Sequence, residues 1–375
     1  MIDYSVPASD DFLHQQLDVP KGARKIICLE ERARILELLQ NSDYSIASGG
    51  SLSNTLIALA RLGAAGADIR IAMAGLIGGD ALGAFYTAQM ASAGVDVISP
   101  LNIEANTGTV VVVTSQQDAQ RTMLSYLGTP AAIPITTQLK TAIANSKIIV
   151  IEGYLWELPD AQNTIIEAIN VAREAGTIIA MTVGDAGVAE RHGAGMWTAI
   201  EQGVDLLFSN KTEAKALLAS IPQSKHNNNS NDRRNKGALD GCRTTTEATA
   251  LALAPHCPIV VVTDGSHGSI ITALGQLHVV PPHWGPSKPI DTCEAGDAYC
   301  AGMLWGLLRS RDVVSMGRAG ARVASAVIAR QGGTLSEEAA QCIVEEMTHS
   351  SNSSGNDNGD RRRVWRSMAP ESLLE

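Results

Sequence analysis

Asp291-Thr292-Cys293-Glu294-Ala295-Gly296-Asp297, running on into Ala298-Tyr299-Cys300-Ala301-Gly302, decides how this chain is read. A turn of small residues leads into an apolar helix, with an acidic residue at the entry. Open N–H groups at a helix start bind anions, and the helix dipole adds to the attraction. An Asp beside such a pocket repels phosphate. It therefore has another use, most simply as a base for an attacking hydroxyl. Glu294 stands where a phosphate loop calls for glycine.

Outward from this stretch, apolar strand-like runs alternate with helical patterns. Ile148–Ile151 ends at Glu152-Gly153, Ile178–Val183 at Gly184-Asp185, Asp205–Phe208 at Ser209-Asn210, and Ile259–Val262 at Thr263-Asp264-Gly265. The segment Ala161–Ala175 reads as a helix closed by Gly176. Two-sided apolar strands between helices predict a parallel sheet covered on both faces, with ligands beyond the carboxyl ends of the strands. Thr109–Thr114 and Arg121–Tyr126, joined by Gln116-Gln117-Asp118, read as a hairpin suited to a small separate sheet.

The 375 residues carry a net charge of -10, 45% hydrophobic and 18% charged residues, and only 4% aromatics. This suits a large aliphatic core. It excludes a global basic field for nucleic acid or anionic membranes, and it argues against base-stacking surfaces. The six cysteines (28, 242, 257, 293, 300 and 342) form no zinc-spaced or CxxC pattern, so reduced thiols in a cytoplasmic setting are expected. No run is long enough to span a bilayer, and the first residues lack the pattern of a signal peptide.

Four further stretches carry chemistry. Ser48-Gly49-Gly50-Ser51-Leu52-Ser53-Asn54 precedes a helix on which Leu52, Leu56 and Leu59 share a face and Gly63 marks the end. It reads either as a ligand loop, with Asn54 on a hydroxyl pair, or as an ordinary capped loop. In Gly75–Gly83, Asp80 suits an N-cap. Asn210-Lys211-Thr212-Glu213 fits either a carboxylate acting through Mg²⁺ or a capping box. Val262–Gly268 fits either a nucleotide border or a hairpin loop.

Taken in order across nearly the whole chain, these motifs resemble the ribokinase (PfkB) family of sugar and nucleoside kinases. Thr107-Gly108-Thr109, Arg121–Met123, Tyr126–Gly128 and Glu152–Trp156 look closest to its adenosine-kinase-like branch. The resemblance implies a three-layer α/β/α domain over residues 1–347, with a mostly parallel central sheet and a small β lid near residues 3–30 and 106–130. An insertion at 223–246 and a polar tail at 348–375 read as disordered and mobile.

The implied reaction moves the ATP γ-phosphoryl group to a primary hydroxyl of a nucleoside or sugar. Asp297 matches the base, and Ala295, Gly296 and Asp297 the anion hole. Asp3, Gly49, Gly50, Asn54 and Arg121 match acceptor positions. Asn210, Glu213, Thr263, Gly265, Gly268, Asp291 and Thr292 match the nucleotide side, Glu213 reaching Mg²⁺ indirectly through bound water or phosphate. ATP and Mg²⁺ are the implied cofactors, with a monovalent cation as a further candidate. The implied state is a monomer or homodimer, without nucleic-acid or membrane partners.

Two departures from the family pattern bear on activity. A non-glycine residue at positive φ costs about 1–2 kcal/mol. A Glu294 carboxylate about 4 Å from the γ-phosphate would add about 1–4 kcal/mol of repulsion. The family also places a buried strand ahead of the residue matched by Asp3, and only Met1 and Ile2 precede it here. The main sheet is therefore expected to be one strand short, as a fragment or a misplaced start would make it. A kinase-like binding or scaffold protein, and a kinase acting on ribose or a ketose, are the alternative readings.

Overall fold

β-Branched and aliphatic runs become strands wherever the sequence alternates or runs apolar. The structure, a computed structural model, describes residues 1–353 except 10, 41, 67–68, 100, 103, 119, 129–132, 222–243, 286, 310, 331 and 333. The chain clusters into two compact units: Met1–Ser53 with Ile71–Ala131, and Asn54–Arg70 with Ala132–Glu375.

Among the described residues the first unit holds nine strands: β1 (Ile2–Ala8), β2 (Arg24–Ile26), β3 (Ser45–Ser48), β4 (Ile71–Met73), β5 (Ile77–Gly78), β6 (Val95–Val97), β7 (Leu101–Asn102), β8 (Thr109–Ser115) and β9 (Arg121–Tyr126). Five of them form a sheet in the order β2-β9-β8-β1-β3. β8 and β9 pair antiparallel as a hairpin, in keeping with the β-branched run of β8 and the alternation of β9. β1 lies between β8 and β3, with Asp3 opposite Val110 and Ala47. Asp3 therefore sits inside a strand that is paired on both edges. β4 pairs with β6 and β5 with β7, both parallel. Asp80 caps the helix Ala81–Ser92. Its carboxylate accepts from Gly83 N at 2.8 Å and from Thr107 N at 2.9 Å, which fastens the approach to β8 onto that helix.

The second unit is built on β10 (Ile148–Ile151), β11 (Ile178–Thr182), β12 (Leu206–Asn210), β13 (Ile259–Thr263), β14 (Ser269–Ala273) and β15 (Gln276–Val280), side by side in that order. β10 to β13 run parallel. β14 and β15 return antiparallel as a hairpin, so the parallel part stops at β13. Ile179, Met181, Val260 and Val262 are buried together with Trp197, Ile200 and Leu217 from the covering helices. Each such aliphatic side chain contributes about 1.5–3 kcal/mol on burial.

The helix Ala161–Ala175 ends at Gly176 with φ of 75°, as the sequence indicates. Three expectations change. Gly63 does not end its helix, which runs Ser51–Gly66 with Leu62 fully buried; apolar burial outweighs the low helix propensity of glycine. The expected insertion falls outside the described residues only as far as 243. Thr244 caps the helix Thr245–Leu253 by accepting from Glu247 N at 3.1 Å, and Thr246 is buried. The expected tail is helical as far as Ser353, at the end of the helix Glu337–Ser353, and lies outside the described residues from 354 onward.

Candidate active site

The helix Ala295–Leu308 starts where the sequence places an anion pocket. Its N-cap, Glu294, has φ of 62° and ψ of 3° and makes no side-chain cap bond. The left-handed backbone that glycine would supply is thus held by a glutamate, at about 1–2 kcal/mol. Among the described residues no backbone acceptor meets the N–H groups of Ala295 and Gly296; the first turn bond to Glu294 O comes from Ala298 N, at 2.8 Å. Gly296 is exposed, and a Cβ there would meet nothing within 4 Å. Open space at a helix start with unmet donors fits a phosphate group.

Asp297 stands in the first turn of this helix. Asn54 Nδ2 donates to its Oδ2 at 3.5 Å, and Thr55 Oγ1 donates to its main-chain carbonyl at 3.2 Å. Thr55 is 1% exposed, so the second bond anchors the helix start from within the core. Asp291 is buried and shapes the loop before the helix: its carboxylate accepts from Cys293 N at 3.0 Å and Gly332 N at 3.3 Å. Thr292 is exposed.

Glu152 carried no assigned role in the sequence. It is buried at the carboxyl end of β10 and accepts from Thr182 Oγ1 at 2.8 Å. Burial pushes the Cys300 thiol well up, and the charges of Asp297 and Glu152 push the same way. The usable signal was a Glu directly after a buried aliphatic strand. Thr55 had no such signal, because a Thr inside an apolar helix looks like filler.

On the nucleotide side, both readings of Asn210–Glu213 can hold together. Asn210 caps the helix Lys211–Ala219 and Glu213 completes the box by accepting from Asn210 N at 2.9 Å. Thr263 stands opposite Asn210 in register, so the two motifs leave adjacent strands side by side. Gly265–His267 forms a tight turn, and Gly268 has φ of 87°. A Cβ at Gly268 would lie 2.2 Å from Val280 O, so only glycine fits. Among the described residues no group of three or more His, Cys, Asp or Glu forms a metal site. Both Glu213 carboxylate oxygens accept from Asn210, Oε2 from its N at 2.9 Å and Oε1 from its Nδ2 at 2.5 Å.

The remaining predicted residues belong to the first unit. A Cβ at Gly49 would fall 2.0 Å from the Asp3 carboxyl carbon, so this glycine makes room for Asp3. Gly50 follows with φ of 99°. Asp3 Oδ1 is shut off from solvent and has no hydrogen-bond partner among the described residues. Burial pushes the Asp3 carboxyl up to about 6, against the pull of the Met1 amino group and Arg121. A buried acceptor atom left without a donor costs about 1–3 kcal/mol, which a ligand hydroxyl would relieve.

No helix among the described residues is long and apolar enough to cross a membrane. A family model described as pfkB family carbohydrate kinase matches residues 23–340. The chain is 21% identical to the ribokinase of Haemophilus influenzae over 84% of its own length and 91% of the relative's. It is 25% identical to a nucleoside kinase of Methanothermobacter thermautotrophicus, over 76% and 79% of the two chains. The solved adenosine kinase of Sinorhizobium meliloti superposes with a TM-score of 0.74 at 26% identity, covering 92% of this chain and 96% of that one. With the family model matched across most of its length, this chain belongs to the pfkB family of carbohydrate kinases.

Proposed function

We propose that the protein transfers the γ-phosphoryl group of ATP to a primary hydroxyl of a nucleoside, with Asp297 as the base. One observation carries this reading: Asp297 lies in the first turn of a helix whose leading N–H groups, at Ala295 and Gly296, meet no backbone acceptor among the described residues, with Gly296 exposed. The amides hold the transferring phosphoryl group, and the Asp297 carboxylate takes the proton of the attacking hydroxyl as the new P–O bond forms and ADP leaves. When bound, Mg²⁺ supplies charge neutralisation on the phosphate oxygens. Asn54 donates to Asp297 and so orients the base. Asp3, with its buried Oδ1, takes a hydroxyl of the acceptor, with Gly49, Gly50 and Arg121 around it. Asn210, Glu213, Thr263, Gly265 and Gly268 serve the nucleotide, and Asp291 and Thr292 the loop that receives its phosphates. A monovalent cation is a further candidate cofactor.

A nucleoside acceptor is supported by the likeness to an adenosine kinase and a nucleoside kinase. The ribokinase relative keeps a free sugar as the second acceptor class. Coupled ADP release on a panel of adenosine, inosine, ribose and fructose, with Asp297→Asn as control, tests the reading. The expected result is Mg²⁺-dependent turnover on a nucleoside, reduced by about 10²–10⁴-fold in Asp297→Asn with unchanged melting. Turnover in Asp297→Asn equal to wild type would refute the assigned base. Glu294 in the left-handed region supports a second reading, a kinase-like protein whose main role is binding. Folded wild-type protein that binds ATP and nucleoside yet turns over nothing would favour it.

A further inference from the structure

Three elements of the second unit meet at the carboxylate of Asp264, a residue that no sequence motif assigned. Lys211 Nζ donates to its Oδ1 at 2.6 Å, and Thr246 Oγ1 donates to its Oδ2 at 2.6 Å. Asp264 N also donates to Gly268 O at 2.8 Å, which closes the glycine turn. Lys211 directly follows Asn210, and Asp264 directly follows Thr263. Because Asn210 and Thr263 are register partners on β12 and β13, the Lys211–Asp264 pair clasps the two nucleotide-side motifs at the point where both leave the sheet.

Stability alone is a poor reason for this lysine. It is the first residue of the helix Lys211–Ala219, where the positive end of the dipole disfavours a cation. Its side chain is 36% exposed, and exposed ion pairs add little. Asp264 by itself would repel a polyanion approaching the Gly265–His267 turn. An ammonium has three donor hydrogens. With Asp264 accepting one, the others remain for phosphate oxygens. The neighbouring N–H groups of Thr212 and Glu213 are already taken by the Asn210 side chain. In this stretch the charge for a polyphosphate therefore comes from a side chain. The chemistry at this corner is that of a part-exposed cation tied to a carboxylate, beside a turn that only glycine can make at Gly268.

We propose that Lys211 contacts the phosphates of the bound nucleotide and that Asp264 is its positioning residue, held in turn by Thr246. This rests on the kinase reading and names the group that gives it nucleotide affinity. The test is calorimetric binding of MgADP to full-length wild type, Lys211→Met, Lys211→Arg, Asp264→Asn and the Lys211→Met/Asp264→Asn double variant. Melting curves establish that each is folded, and Lys211→Gln stands in if Lys211→Met is not. KM for ATP and for the acceptor is measured alongside.

The expected result is at least tenfold weaker MgADP binding and a matching rise in KM for ATP in Lys211→Met, with KM for the acceptor unmoved. Lys211→Arg should bind within about threefold of wild type. Asp264→Asn should weaken binding less than Lys211→Met, and the double variant should be no worse than Lys211→Met alone. If wild type binds MgADP and Lys211→Met binds it equally, the inference falls while the kinase reading stands. If folded wild type binds no nucleotide, both fall. A double variant weaker than Lys211→Met by the full Asp264→Asn effect would show that Asp264 does not act through Lys211.

Discussion

Glu294 holds a backbone conformation that suits glycine, at the entry to the helix that carries Asp297. Glu294→Gly should therefore stabilise the protein by about 1 kcal/mol in chemical denaturation. If its carboxylate also faces the incoming phosphate, turnover should rise by more than tenfold in the same variant, which steady-state ADP release would read. Asp3 gives a pH signature. Its carboxyl is raised from 3.8 to about 6 by burial. Acceptor affinity should fall as pH drops through about 6, because the protonated carboxyl accepts fewer hydroxyl donors; Asp3→Asn should remove the carboxyl's share of this profile and leave that of the Met1 amino group, which burial lowers to about 6. Stability runs the opposite way. A raised carboxyl contributes fully below its ordinary value, and that contribution is lost as pH rises through about 6. Acceptor titrations and melts between about pH 4 and 6 should thus slope in opposite directions, whereas above about 6 the buried Met1 amino group, lowered from 8.0 to about 6, makes stability rise with pH.

At the scale of elements, the helix Ala295–Leu308 depends on its neighbour as well as on its own sequence. The Thr55 hydroxyl on the Asp297 carbonyl pins the first turn. Thr55→Val keeps the shape and removes the donor, so it should cost about 1 kcal/mol in stability. Under the proposed function it should lower kcat, since the freed first turn carries both Asp297 and the amides of Ala295 and Gly296. The strand–helix alternation of the second unit was legible because Ile148–Ile151, Ile178–Val183 and Ile259–Val262 are apolar on both sides, and because Gly176 punctuates a helix end. Asn210 and Glu213 were legible as a spacing, and the capping box they form is the local half of that signal. The Asp264 clasp was not legible. Lys211, Thr246 and Asp264 are far apart in the chain, and only the pairing of β12 with β13 puts two of them side by side. Gly63 misled because a glycine late in a helix reads as an end unless tertiary burial overrides it. Thr244 to Thr246 misled because a polar run before a helix reads as loop until its cap is seen.

For the molecule as a whole, the acidic balance of -10 means that under the proposed function nucleotide binding falls to local groups: the helix start at Ala295 and Gly296, Lys211, and divalent cation carried on the phosphates. Chelation by excess EDTA should therefore abolish ADP formation. Activity should return on adding Mg²⁺ and not on adding Na⁺ at equal ionic strength, as a coupled assay would show. Asp3, in contrast, belongs to the five-stranded sheet of the other unit, with Gly49 and Gly50 directly after its strand β3, and the stability of that sheet can be followed separately by amide exchange in β1 and β8. The matched family model reaches across residues from both units, so the same chain carries the acceptor-side and nucleotide-side candidates.

The pairing of Asn210 with Thr263 also limits how such a protein can change. Side chains alternate between the two faces of a sheet, so gaining or losing one residue within β12 or β13 would turn a whole strand's outward groups inward. A change of length should consequently be tolerated only past the strand ends, so that substitution can reshape the loops beyond β12 and β13 far more readily than the frame that carries them.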